Sequence, residues 1–319
     1  MINAIWVTWE NQIRNRSMAA NLGAKLYVFM CGGNRYIRYL VCMYKTFLTL
    51  LKEKPDIVFT QNPSIVLNFF LILARVFFRF KLVSDAHYAG ITAYNGSRIL
   101  QKALDLCNIM VDLVIVTNAG HAKHVTDIGG KAIISEDPLP DIERFNTNKP
   151  NQDKLVLFIC SFDFDEPYQV AFKAADLLAN DNFVFMATGN FNKVGINQDE
   201  HPSVKFLGYL PETEFYATLY RSSIVLDLTE SENCLVCGAY EAMVAEKPLV
   251  TSDTACLRKY FVSGTLFTEH DEFCIANTIK SAYQNSEYLK NEIKEWKKIA
   301  YKQQVERFEN IRTVLGLGG

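Results

Sequence analysis

Short apolar runs alternate with amphipathic helical stretches along almost all of this 319-residue chain, and that alternation limits its fold more than any other feature. Residues 4–8, 25–30, 56–60, 81–84, 113–117 and 132–134 read as strands. Residues 17–22, 37–52, 65–80, 98–111 and 120–128 carry a helical apolar period, with Gly23 and Gly129-Gly130 as stops. A β–α series of this kind folds into a parallel sheet covered by helices on both faces. A second series follows, with strands at 155–160, 183–188, 204–207, 224–228 and 248–252. Helices are expected at 167–178 and 212–222, and a long charged one at 287–308. Pro138, Pro140 and the polar run 146–151 punctuate the two series as a linker. The expected fold class is therefore α/β with two Rossmann-like domains, 1–145 and 152–290, and a terminal helical segment, 291–319.

Formal net charge is only −2, which argues against a nucleic-acid partner. The charge is uneven. Residues 1–80 hold ten Lys/Arg against three Asp/Glu, a net of +7, and the remainder hold 23 against 32, a net of −9. Two surfaces with different partners are implied. The eight cysteines are scattered through apolar segments, which suits a reducing, cytoplasmic compartment. Cys234 and Cys237 form a lone C-x-x-C; buried thiols beside a glycine turn are expected there, and no metal site. The start of the chain lacks the basic-then-apolar pattern of a secretory leader. The most apolar run, 65–80, is under spanning length and contains Asn68, Arg75 and Arg79, so a buried or interfacial helix is expected. The basic, aromatic pattern of 35–52 with 77–81 suits adsorption to an anionic membrane surface. A core helix with a solvated face is the plainer alternative.

In open parallel sheets ligands bind at the carboxyl ends of strands. The polar residues that fall there include Glu10, Asp85, His87, Ser161, Asp163, Gly189, Asn190 and the stretch 231–253, SENCLVCGAYEAMVAEKPLVTSD. That stretch reads as loop, short helix, turn and buried strand. Glu241 is expected in the first helical turn, with Gly238 allowing a close backbone approach to a ligand. Free N–H groups at a helix start favour anions. Cys234, Leu235, Val236 and Gly238 are thus candidate backbone donors to a diphosphate, and Glu241 a planar acceptor for two ribose hydroxyls. An ordinary turn and an acidic residue that merely favours the helix dipole is the competing reading.

These residues resemble a known pattern. Glu241-Ala242-Met243 followed by Lys247 to Asp253 is similar to the stretch of family 4-like GT-B glycosyltransferases in which a Glu-bearing helix precedes G-x-P-V-V-x-x-D. Lys54 to Val58, Asp85-Ala86-His87, Asp112 to Thr117 and Val204 to Leu210 resemble weaker family segments. The resemblance implies two Rossmann-like domains facing across a cleft, with donor bound by the C-terminal half and acceptor by the N-terminal half. The terminal helix would pack back toward the N-terminal domain. The activity implied is metal-independent transfer of a hexosyl group from a nucleotide-diphosphate sugar, with no cofactor. The acceptor implied is a glycan or polyprenyl-linked glycan of bacterial polysaccharide synthesis. A non-catalytic scaffolding subunit and a sugar-nucleotide epimerase are the alternatives.

Three departures stand out. The family pairs two glutamates with seven residues between them; counting back from Glu241, that place holds Asn233, with Glu232 beside it. The family's Arg and Lys after the first C-terminal strand are absent from Cys160 to Pro167, and its glycine-rich first loop is replaced by Trp9 to Arg16. The remaining candidates follow. Glu232 and Asn233 would grip donor-sugar hydroxyls, and His87 would contact the sugar near the reacting carbon. Asp85 is a candidate general base, or orients His87. Ser161, Asp163, Gly189 and Asn190 would line the donor side, and Tyr209 and Leu210 would position the nucleobase or lie in the core. Glu10, Arg14 and Arg16 would serve the acceptor, with Arg gripping a phosphate or standing on a solvated helix face.

Overall fold

The computed structural model describes residues 2–93, 96–146 and 152–317. Residues 147–151 of the expected linker lie outside them. The described residues form two six-stranded parallel sheets. The chain divides into two compact units, Met1–Pro138 with Gln304–Gly319, and Leu139–Gln303.

In the first unit the strands are β1 (Ala4–Thr8), β2 (Lys25–Val28), β3 (Ile57–Asn62), β4 (Lys81–Ala86), β5 (Leu113–Val116) and β6 (Ala132–Ile134), in the order β2-β1-β3-β4-β5-β6. The helices are α1 (Ile13–Leu22), α2 (Arg35–Glu53), α3 (Ile65–Phe78), α4 (Tyr88–Ile91), α5 (Arg98–Met110) and α6 (Ala119–Asp127). β1 and β3 are buried along their whole length, which is why they read as continuous apolar runs. Trp6 stacks on Phe59 across them, at 5.5 Å between ring centroids. One side of the sheet packs on α3 through Leu67, Leu71 and Ile72, the other on α1 through Met18, Ala19 and Leu22. β3 runs two residues past the expected end because Gln61 and Asn62 pair with Asp85 and Ala86 of β4. Gly23 ends α1 in the left-handed region, at φ 67°, its N–H reaching Ala19 and Ala20 carbonyls. The apolar run 65–80 becomes α3, and no helix of the described residues is long and apolar enough to cross a membrane.

In the second unit the strands are β7 (Leu155–Phe158), β8 (Val184–Thr188), β9 (Val204–Gly208), β10 (Ile224–Asp227), β11 (Leu249–Ser252) and β12 (Thr265–Thr268), in the order β12-β11-β10-β7-β8-β9. The helices are α7 (Tyr168–Ala179), α8 (Glu212–Arg221), α9 (Cys237–Val244), α10 (Ala255–Tyr260), α11 (Glu272–Gln284) and α12 (Ser286–Leu315). The edge strand β12 and helices α10 and α11 were not expected. TLFT is four half-buried residues, too short to show a period, and α11 is signalled only by its cap, Asp271, which accepts from the N–H of Phe273 and Cys274. α12 is longer than the expected 287–308. Its Ile293, Trp296 and Ala300 belong to a core of the second unit, and Phe308, Ile311 and Leu315 to a core of the first.

Both sheets contain a place where consecutive connections leave in opposite directions: between β1 and β3 in the first, and between β7 and β10 in the second. Such switch points open crevices at the carboxyl ends of the strands.

Candidate functional site

The second unit's crevice is built from the loops after β7 and β10. After β7 the backbone curls through Phe162, at φ 58°. The N–H groups of Ser161 and Asp163 converge on the Glu166 carboxylate at 3.0 and 2.8 Å, and the Ser161 hydroxyl donates to it at 3.0 Å. The loop thus makes an anion cradle of converging N–H groups, and its own glutamate fills it. Asp165 ties the two loops together by accepting from the hydroxyls of Thr229 at 2.8 Å and Ser231 at 3.0 Å.

After β10, Glu232 and Asn233 form an exposed turn closed by the Cys234 N–H on the Ser231 carbonyl at 3.2 Å. Leu235 and Val236 are 8% exposed and belong to the core, and Val236 is the N-cap of α9. Glu241 therefore stands in the second turn of α9, one turn later than expected. The close backbone approach at Gly238 is real, but it is made to Asp227. A Cβ at Gly238 would meet Asp227 Oδ2 at 2.5 Å and Ile159 Cδ1 at 2.7 Å. The N–H groups of Gly238 and Ala239 donate to Asp227, whose carboxyl is pushed well above its usual range by burial and then by the charges of Glu166 and Glu241. Of these two donors Gly238 was expected to hold a phosphate, and both are engaged by a buried side chain.

Glu241 accepts from the Tyr216 hydroxyl at 3.2 Å. Burial raises its carboxyl to about 7, a shift that Tyr216 opposes. No cation among the described residues offsets this burial. Gly189 is required where it stands: at φ 93° a Cβ would lie 2.0 Å from the Cys160 carbonyl oxygen. Asp163 pairs with Lys193 at 3.5 Å. Asn190 is exposed, Leu210 is half-buried, and Tyr209 is 87% exposed, so its place is not the core. Cys234 is half-buried with its thiol raised by burial to about 12, whereas Cys237 is exposed, and neither is in a disulfide. The expectation of two buried thiols is corrected for Cys237, which projects from the first turn of α9. Among the described residues no group of three or more His, Cys, Asp or Glu is placed to hold a metal ion.

The first unit's strand ends carry a different kind of centre. Arg14 grips Asp85 bidentately, Nε to Oδ2 at 2.8 Å and Nη2 to Oδ1 at 2.6 Å, and donates through Nη1 to Asp137. The Asp85 side chain is wholly buried and that of Arg14 is 10% exposed. Despite its burial, the two aspartates hold the guanidinium firmly charged. This corrects two expectations. Arg14 is spent inside the fold, not offered to an acceptor phosphate, and Asp85 is locked to a cation, not free as a base. Arg16 donates to Asn11 and Glu10 accepts from Gln12; both face solvent. His87 lies half-buried with Nε2 3.3 Å from Gln61 Nε2. Burial, and then the nearby Arg14, lower its pKa. His121, buried and lowered to about 4 by desolvation, takes hydrogen bonds at Nδ1 and has no partner at Nε2 among the described residues.

Residues 141–303 match the family model described as glycosyl transferases group 1. The chain belongs to that family. No curated protein sequence matches it. Among solved structures, sucrose-phosphate synthase of Thermosynechococcus elongatus aligns at 13% identity and TM-score 0.77, covering 99% of this chain and 100% of that one. HepE of Anabaena in complex with UDP aligns at 15% identity and TM-score 0.72, with 99% and 100% covered. UDP-GlcNAc 2-epimerase of Neisseria meningitidis, bound to UDP-GlcNAc, aligns at 12% identity and TM-score 0.61, with 92% and 93% covered. At such identities these likenesses speak for the fold.

In this group 1 glycosyl transferase chain the family match lies within the second unit, where Ser161, Asp163, Glu232, Asn233 and Glu241 come from the two loops and the helix at one switch point. Asp227, Glu166 and Tyr216 were missed. Asp227 was hidden as the tail of an apolar strand, although a carboxylate ending such a strand next to a glycine-led helix was a usable signal. In the first unit Asp137 and His121 were missed, and Gln61 was noted only as a polar residue at a strand end; the fold brings them near Arg14 and His87.

Proposed function

We propose that the protein moves a hexosyl group from a nucleotide-diphosphate sugar to a glycan or polyprenyl-linked acceptor in polysaccharide synthesis. The bond from the anomeric carbon to the diphosphate oxygen breaks, a bond to the acceptor oxygen forms, and the acceptor's proton is released. The observation that carries the reading is Glu241, a half-buried carboxylate raised to about 7 with no cation among the described residues to balance it. A carboxylate in that condition gains from two hydroxyl donors, which a ribose diol supplies. Glu232 and Asn233, exposed at the tip of the same loop, reach donor-sugar hydroxyls. The cradle at Ser161–Asp163 takes phosphate once Glu166 gives way, and Asp163 meets sugar, not phosphate. Gly189, Asn190, Tyr209 and Leu210 flank the nucleoside. His87, half-buried at the first unit's strand ends, serves the sugar. Glu10 and Arg16 serve the acceptor. Transfer proceeds without a metal, on the inner face of the cell membrane.

The family membership supports transfer over epimerisation, and HepE, which holds UDP-glucose, makes UDP the first nucleotide to try. A screen of UDP-, GDP- and dTDP-sugars for binding, hydrolysis and transfer tests the reading. Donor binding and release of nucleoside diphosphate are expected, both lost in Glu241→Ala. Binding of no donor would favour a scaffolding subunit, and an altered sugar without nucleotide release would favour an epimerase.

A further inference from the structure

Among the described residues, 15 of the 28 exposed large hydrophobic side chains lie on α2, α3 and α5, a concentration that single surface apolar residues do not explain. α3 packs against both α2 and α5, so the three form one continuous face of the first unit. α2 buries only Cys42, Thr46, Thr49 and Leu50 of its 19 residues. Leu40 on α2 is 63% exposed, Phe77 on α3 83%, and Ile99 on α5 85%. Cations border this apolar surface: Arg35, Arg38, Lys45 and Lys52 on α2, with Arg98 and Lys102 on α5, all exposed. The single carboxylate of α2, Glu53, is already engaged by Lys25 at 2.9 Å and by the Tyr27 hydroxyl at 2.5 Å.

At one border of this face lies a cavity of about 280 Å³, at the carboxyl ends of β1 and β3 and wholly within the first unit. Trp9, Glu10, Arg35, Arg38, Tyr39 and Ser64 line it. Both guanidinium groups lie over the Tyr39 ring, at 5.7 and 5.6 Å from its centroid, so two cations point into one place. Trp9 is fixed beside them by its indole N–H on the Thr46 hydroxyl at 3.0 Å.

We propose that the α2–α3–α5 face docks on an anionic lipid bilayer and that Arg35 and Arg38 seat a membrane-borne phosphate at this cavity. The phosphate half of the proposal rests on the acceptor reading above and replaces Arg14 with Arg35 and Arg38 as the cationic grip. Charge complementarity selects the occupant. Apolar side chains flanked by exposed Lys and Arg match the acyl-headgroup boundary of an anionic leaflet. A second copy of the same face would set like charges against one another. No helix of the described residues spans a bilayer, so the face lies on the membrane.

Co-sedimentation of the full chain with vesicles of phosphatidylcholine, alone or with 30% phosphatidylglycerol (about that fraction gives a strongly negative surface), tests the proposal at low and high salt. Binding is expected to the anionic vesicles only, weakened by salt. Leu40→Asp with Phe77→Asp should abolish it. Arg35→Ala with Arg38→Ala should weaken it about 25-fold, at about fivefold per cation, and should also abolish saturable binding of a short-chain polyprenyl phosphate in detergent. Inorganic phosphate is the control ligand, and equal affinity for it would overturn the lipid source. Vesicle binding that is absent at low salt, or unchanged in both double variants, overturns the proposal. So does a dimer in solution that Leu40→Asp with Phe77→Asp dissolves. Nucleotide binding, followed on the same samples, reports on the donor site separately. Circular dichroism and a retained melting transition confirm that the variants fold.

Discussion

The two units share an architecture and differ in how they treat buried charge. In the first, Arg14 stands between Asp85 and Asp137, and every full charge at the centre has a partner within hydrogen-bond distance. In the second, Asp227 is buried and Glu241 half-buried, neither with a cation among the described residues, and Glu166 is close enough to raise Asp227 further. A paired centre is finished by the fold itself. An unpaired one costs stability until a ligand supplies what is missing, which is the usual condition of a binding site. The contrast fits a structural role for the ionic centre of the first unit and the ligand-receiving role proposed above for that of the second.

The largest effect should come from breaking the finished centre. Arg14→Met leaves Asp85 buried without its cation, and about 3–5 kcal/mol of stability should be lost from the first unit, read by urea denaturation. Glu241→Gln should do the reverse. A carboxyl raised to about 7 keeps its proton in the folded state between about pH 4.5 and 7, where the unfolded chain releases it, so stability falls as pH rises through that window. The variant should match the wild type at pH 4 and melt higher at pH 8. Destabilisation of Glu241→Gln as large as that of Arg14→Met would break the comparison.

His121 gives the first unit its own acid sensitivity. Its folded pKa of about 4 lies below the ordinary 6.5, so stability is full above pH 6.5 and is lost as pH falls toward 4, by about 3 kcal/mol. His121→Gln should flatten that limb of a pH–stability curve. Gly238→Ala comes next. Its methyl would press on Asp227 Oδ2, and about 1–3 kcal/mol should be lost from the second unit. Asp227→Ala with Gly238→Ala should recover part of that loss, because the nearer of its two clash partners is gone and only Ile159 remains. The smallest effect is expected of Glu166→Gln, which removes one charge from the cradle and should tighten nucleotide diphosphate binding severalfold.

The fold was legible because parallel sheets write themselves as apolar runs: β1, β3, β5, β7 and β10 were all evident as such. What was not legible followed from pairing and capping. Gln61 and Asn62 are polar yet sit in β3 because β4 offers a ladder, and β12 is too short to show any period. At the site, Glu241 was evident from its motif, but its turn of the helix was not, because the start of α9 is set by Val236 entering the core. Arg14 read as an acceptor ligand because its partners, Asp85 and Asp137, are far away in sequence. Exposed Tyr209 read equally well as core, since an aromatic residue after a strand carries no mark of which way it turns.

The central claim is that the unbalanced carboxylate of Glu241 receives the donor's ribose. Titration calorimetry of UDP, GDP and dTDP sugars at pH 6 and pH 8 tests it most directly, on the wild type and on Glu241→Gln. Hydroxyl donors favour the ionised carboxylate, so one nucleotide should bind the wild type about tenfold more tightly at pH 8 than at pH 6. Glu241→Gln should bind it weakly and without that pH dependence. Equal affinities in the two proteins, or a pH profile that survives the substitution, would contradict the account.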